Sequence, residues 1–196
     1  MTEVVARPQV WPAKGGRPRD PVCGEAILAA TLSLFAEAGY AGVSIEGVAA
    51  RAGVGKATVY RRYPDKAHMV VEAVRVGACM VDNLPDTGDL RADLTTMLTA
   101  LIKLLRGPMG PLLLAFAAER IRNPALDEEF KRSVVGAKRT HIRHLIESAI
   151  ARGELAPDAD VEVIAEAGPA IVWHLAFNRV PLAKDLAPRI VNTILS

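Results

Sequence analysis

Apolar residues recur along this chain every three to four positions and almost never in alternation, which is the period of helices and not of strands. Ile27, Leu28, Thr31, Leu32, Phe35 and Ala38 form one such stripe. Asp20-Pro21 supplies a cap and a first-turn proline before it, and Gly39 is placed to end it in a left-handed cap. Ser44 caps a short second helix with Ile45, Val48, Ala49 and Ala52 turned inward. Gly53-Val54 makes a turn, Val54 and Val59 anchor a third helix, and Pro64 closes it. Asp65 caps a helix over 66–82, striped by Met69, Val70, Ala73, Val76 and Met80. A turn around 85–88 follows, then helices over 90–105, 111–122 and 124–152, the last being the longest. Two more are predicted over about 159–179 and 184–195, where Pro188 is tolerable because it falls in the first turn. The pattern therefore predicts an all-α fold of about nine helices, with no strand and no internal repeat.

Composition agrees, with 51% hydrophobic residues and only 5% aromatic. At 196 residues the chain can bury a sizeable core. The three divisions are a flexible basic arm over 1–19, a three-helix unit over 20–66, and a larger helical unit over 67–196. Within the second, residues 44–63 read as two helices across a glycine turn, a helix-turn-helix whose second helix is shaped to enter a DNA major groove. That helix and its exit carry Lys56, Thr58, Tyr60, Arg61, Arg62 and Lys66, residue types that meet phosphates and base edges. Net charge is only +2, but residues 1–66 hold nine Lys/Arg against six Asp/Glu, while 67–196 hold fifteen against sixteen. The basic excess thus lies where DNA would be met. The arm ends in Arg17-Pro18-Arg19, which can lie in a minor groove or remain a solvated tail.

The helix over 159–179 is apolar on most of its circumference. Val161, Ile164, Ile171 and Leu175 mark one face, Val163 and Phe177 extend the other side, and Ile190 and Ile194 follow on the last helix. Burial on two sides is implied, one by the helix's own core and one by a second copy in a four-helix dimer interface. Met80, Met97, Leu101, Phe116, Trp173, His174 and Phe177 are candidate walls of a pocket for an apolar small-molecule effector. His141, His144 and Glu147 fall near one face of the longest helix, but Arg139 and Arg143 flank them and no Glu-x-x-His or HExxH spacing occurs, so no metal and no cofactor is expected. Cys23 and Cys79 have no metal-ligand spacing, and a disulfide framework is not expected. With no signal-peptide core and no spanning segment, a cytoplasmic, nucleoid-associated protein without membrane partners is the expectation.

The run Ala52-Gly-Val-Gly-Lys-Ala-Thr-Val-Tyr-Arg-Arg-Tyr-Pro-Asp-Lys66, with Phe35-Ala-Glu-Ala-Gly-Tyr40 and Ser44–Ala50 before it, strongly resembles the TetR family of bacterial transcriptional regulators. The close likeness covers about residues 20–75; beyond that it is architectural. It implies that Ser44 caps the second helix and meets a phosphate, that Lys56 and Thr58 reach bases or phosphates, and that Tyr60 places its hydroxyl on the backbone. Arg62 matches a polar position facing DNA, Arg61 points to phosphate or solvent, and Lys66 matches a phosphate-pairing lysine. Gly55 departs from the commoner serine at the start of the reading helix.

The function so implied is a ligand-responsive transcriptional regulator, expected to be a repressor and not an enzyme. It would bind a near-palindromic double-stranded DNA operator as a homodimer. The alternative is a helical small-molecule-binding protein without sequence-specific DNA reading.

Overall fold

The computed structural model describes residues 21–78 and 85–196. Arg17, Arg19, Asp20, Cys79 and Met80 lie outside the described residues. Within them the chain is all helix: α1 (Pro21–Gly42), α2 (Ile45–Ala52), α3 (Lys56–Arg62), α4 (Lys66–Gly77), α5 (Leu90–Arg106), α6 (Gly110–Arg122), α7 (Pro124–Phe130), α8 (Gly136–Ala151), α9 (Val161–Phe177) and α10 (Leu186–Ile194). A π-helical turn, Lys131–Val135, joins α7 to α8 without a break, so the ten segments make nine helical rods among the described residues.

The boundaries follow local chemistry. Gly39 interrupts α1 at φ 64° and ψ −171°, a combination essentially reserved to glycine. Ser44 Oγ accepts the Gly47 N–H at 3.0 Å and opens α2. Gly53, left-handed at φ 66°, closes it by returning its N–H to Ala49 and Ala50 carbonyls. Asp65 accepts the His68 N–H at 2.9 Å and opens α4, and Asp89 does the same for Ala92 at the start of α5. Replacing Ser44 by Ala leaves an orphan N–H at the head of α2. The expected cost is about 1 kcal/mol, a fall in melting temperature of about 2–4 °C measurable by circular dichroism; an unchanged melting curve would remove the cap from this account.

α1, α2 and α3 form the N-terminal head, with Ile27, Phe35, Val43, Val48 and Val59 buried in it. α4 closes the head against α1 and also packs on α7 of the body. A boundary drawn at residue 66/67 would pass through the first turn of α4. In the body, α5 lies among α6, α8, α9 and α10, and α8 packs on α9. Gly168 makes the α5–α9 approach possible, since a Cβ there would come within 3.0 Å of Leu98 Cδ1. The two units share one continuous apolar cluster.

Three further features set the packing. First, Arg132 pairs with Glu129, which is buried against His68 of α4, while Asp127 pairs with Lys131 at 2.6 Å. Lys131, and then Arg120, hold the Asp127 carboxyl below its usual range. Second, Asp93 is buried, its carboxylate accepting the Thr87 N–H at 2.9 Å and hydroxyl at 2.8 Å. That bond fixes the turn that enters α5. Third, Pro169 stands inside α9, where it cannot donate to the Ala165 carbonyl. Among the described residues no single helix is long and apolar enough to cross a membrane; α5 and α6 have that character only together, bent by 100°.

Candidate nucleic-acid interface

The helix-turn-helix spacing brings the predicted polar residues of α2 and α3 to one region, though not all of them face outward. Val59 is fully buried and pins α3 to the head. With that side inward, Lys56, Tyr60 and Arg61 are exposed and Thr58 is half-buried. Tyr60 is 55% exposed, a large aromatic left in solvent. Ser44 is also exposed; its oxygen holds Gly47, which leaves the hydroxyl proton able to donate.

Gly55 is the N-cap of α3 at φ −71° and ψ 143° and makes no side-chain cap. Any residue can adopt that backbone, and a Cβ placed there meets nothing within 4 Å. Glycine is therefore not forced at this position, and its effect is to leave the approach to α3 open. Lys56, the next residue, does not stand alone. Its Nζ lies 3.3 Å from Glu46 Oε1 on α2; the backbone N–H of Glu46 itself, and then this lysine, hold the Glu46 carboxyl below its usual range.

Arg62 and Lys66 are turned away from the position expected of them. Arg62 is half-buried, and its guanidinium packs so close to Gly24 of α1 that a Cβ there would lie 2.9 Å from Nη1. Lys66 is half-buried at the junction with the body, its ammonium 4.1 Å from the centre of the Tyr40 ring. Burial pushes the Lys66 ammonium pKa down, and the Glu119 carboxylate of α6 offsets part of that shift. The lysine expected to pair with phosphate is thus held between head and body. On the far side of the head, Arg51 ties α2 to α1 through Glu37 at 2.5 Å and Ser33 at 3.0 Å.

The pocket candidates among the described residues stand in different settings. Phe116 is buried at the head–body seam, edge-on to Phe35 at 6.2 Å and to Phe130 at 5.3 Å, with Arg120 stacked over Phe130. Met97 and Leu101 on α5 and Trp173 on α9 are half-buried. His174 is exposed, and Phe177 is 47% exposed beside Trp173. The candidate dimer residues also divide. Val161, Ile164, Leu175 and Ile194 are half-buried and Ile171 is exposed, but Ile190 is 5% exposed and belongs to the core that α10 shares with α5 and α9. Val163, at 60% exposure, Phe177 and Val180 join Ile171 on the open side instead.

A cleft of about 310 Å³ lies at the α4–α7 seam, lined by Asp65, His68, Ala125, Glu128, Glu129 and Arg132 among others. His68 bridges its walls, with Nδ1 2.9 Å from Asp65 and Nε2 3.1 Å from Glu129. None of the predicted pocket residues lines it. Of the histidines weighed as ligands, His141 uses Nε2 on the Pro85 carbonyl at 2.9 Å, and His144 is exposed.

Comparison with known proteins agrees with this arrangement. Residues 27–73 match the family model described as bacterial regulatory proteins, tetR family, and residues 84–194 match the tetracyclin repressor-like C-terminal domain. The chain is 32% identical over 170 residues to the HTH-type transcriptional regulator Rv1556 of Mycobacterium tuberculosis, covering 86% of this chain and 84% of that protein. It is 27% identical over 171 residues to the DNA-binding transcriptional repressor TetR of Mycobacteroides abscessus, covering 87% and 90%. Among solved structures, the TetR family transcription regulator SCO0332 superposes with a TM-score of 0.69 at 25% identity, covering 88% of this chain and 96% of that one.

Proposed function

Because the chain belongs to the TetR family of bacterial transcriptional regulators, we propose that two copies of it bind one near-palindromic operator and repress transcription until an apolar effector releases them. The observation that carries the reading is the outward face of α3, where Lys56, Tyr60 and Arg61 project from a helix pinned by buried Val59. The recognition helix of each copy would enter one of two successive major grooves. Ser44, Lys56, Thr58, Tyr60 and Arg61 would make the contacts, joined by Arg62 and Lys66 if DNA draws them out, and by Arg17 and Arg19 of the arm.

The second copy is supported by the open side of α9. Val163, Ile171, Phe177 and Val180 are large apolar residues left in water by a single chain. For the effector, the half-buried Met97 and Leu101 of α5 and Trp173 of α9, two helices that pack together, are the supporting residues. A near-complete switch requires the effector to favour the released state by about 5.5 kcal/mol. The natural setting of such a protein is the cytoplasm, at the nucleoid, with no catalytic step.

Selection of bound duplexes from a random pool tests the reading. A palindromic consensus with two half-sites about one or more helical turns apart is expected, bound far more tightly than scrambled DNA and with a steep salt dependence. Lys56→Ala and Tyr60→Ala should each weaken operator binding, the lysine by about 5- to 150-fold per half-site if it reads a base, while sedimentation shows an unchanged dimer. Recovery of no consensus would leave a helical ligand-binding protein that does not read sequence.

A further inference from the structure

Residues 44–63, which must meet a polyanion, contain a single acid, Glu46. A carboxylate there repels every duplex alike, so an accidental acid would only weaken binding. Its placement is specific. Glu46 is in the first turn of α2, behind the Ser44 cap, and reaches across to the first residue of α3, with Oε1 3.3 Å from Lys56 Nζ. Both side chains remain more than half exposed, at 55% and 61%. The other acids of the two ends of this unit are engaged elsewhere: Glu37 with Arg51, and Asp65 at the cap of α4.

The first residues of a recognition helix are the ones that touch base edges. Lys56 therefore carries Glu46 with it into the groove. Gly55 removes the side chain that would otherwise stand beside them, with open space where its Cβ would be. The ammonium is a donor only and the carboxylate an acceptor only. In the major groove, guanine offers the N7 and O6 acceptors, and its paired cytosine offers the N4 amine next to them. An A·T pair breaks that order, because the lysine loses one acceptor and faces the adenine amine.

Resting on the regulator reading above, we propose that Lys56 and Glu46 act as one donor–acceptor pair that reads a single G·C base pair in each half-site, Lys56 on guanine and Glu46 on the cytosine amine. Off the operator the same ion pair occupies the lysine, so sequence-independent attraction to phosphate is reduced. Glu46 is then a specificity residue whose charge lowers non-specific affinity and raises discrimination.

The experiment is random-pool selection with the full chain as wild type, Glu46→Ala and Glu46→Gln, followed by affinities for the selected duplex, its single-base-pair variants and a scrambled duplex. The wild type should select one fixed G·C pair per half-site. Glu46→Ala should relax that position alone, lowering its discrimination by about 5- to 150-fold, and should bind scrambled DNA several-fold more tightly, by the loss of about one repelling charge per head. Glu46→Gln should shift the same position toward A·T, since a carboxamide can bridge adenine N6 and N7. A wild-type consensus that Glu46→Ala leaves unchanged at every position would overturn the assignment, even if all affinities rose together, because uniform tightening is simple charge repulsion. If the wild type selects no consensus, the regulator reading has failed and this assignment falls with it.

Discussion

Phe116→Ala is expected to destabilise the protein by about 3–5 kcal/mol, a large share of the about 5–15 kcal/mol that holds a domain of ordinary stability together. Phe116 is 2% exposed and is the middle ring of three, edge-on to Phe35 of the head and Phe130 of the body. Its removal costs the transfer of a large apolar side chain, leaves a cavity, and breaks two edge-to-face contacts worth about 0.5–1.5 kcal/mol each. Neighbours cannot easily collapse into the gap, because Phe130 is also held by Arg120, which is itself tied to Asp127. Denaturant titration should show the midpoint falling sharply, and a loss under 1 kcal/mol would mean that the seam repacks. Since the ring joins two units, the variant should also show head and body melting with less cooperativity, visible as a broadened transition.

Placing carboxylates on the open side of α9, as Ile171→Glu with Phe177→Glu, is expected to convert the proposed dimer into a monomer. At a two-fold contact each substitution appears twice, so four charges would be buried in or crowded against an apolar interface. Neither residue is in the protomer core, so each chain should keep its helical spectrum. Operator affinity should fall by at least about 100-fold, because linked heads gain about 10²–10⁴ over single ones by effective concentration. Sedimentation and a fluorescence titration with the selected duplex read both effects. A double variant that remains dimeric would remove the second copy from this face.

Features written in adjacent residues were legible from the sequence. Ser44, Gly53 and Asp65 act on backbone groups three or four positions away, so residue type and spacing announce them. Of the α1 stripe, Ile27, Thr31 and Phe35 are buried, while Ala38 is exposed. What the sequence could not display were contacts set by the tertiary arrangement. The Glu46–Lys56 pair spans a turn, and Arg62 folds back on Gly24 across more than one helix. Lys66 reads as an exposed phosphate ligand until Tyr40 and Glu119 are brought around it. The Glu129–His68 contact joins α7 to α4 across more than fifty residues, and the π-helical turn at Lys131–Val135 interrupts what the apolar period presents as one helix. Ile190 is a dimer-face candidate in the sequence, yet it is buried, and which side of α10 meets α5 is a property of the packing.

α4 has a practical meaning for anyone exchanging parts between such proteins. Its Met69, Val70 and Ala73 are fully buried, and it packs both on α1 of the head and on α7 of the body. A graft spliced ahead of it would give the transplanted head a foreign lid, and one spliced just after it would give a native lid a foreign floor. The better seam for a hybrid lies beyond Gly77, with the residues of α7 that touch α4 carried over from the head's own parent. Two proteins with interchangeable outlines would otherwise exchange their reading heads and lose the grip that each body has on its own.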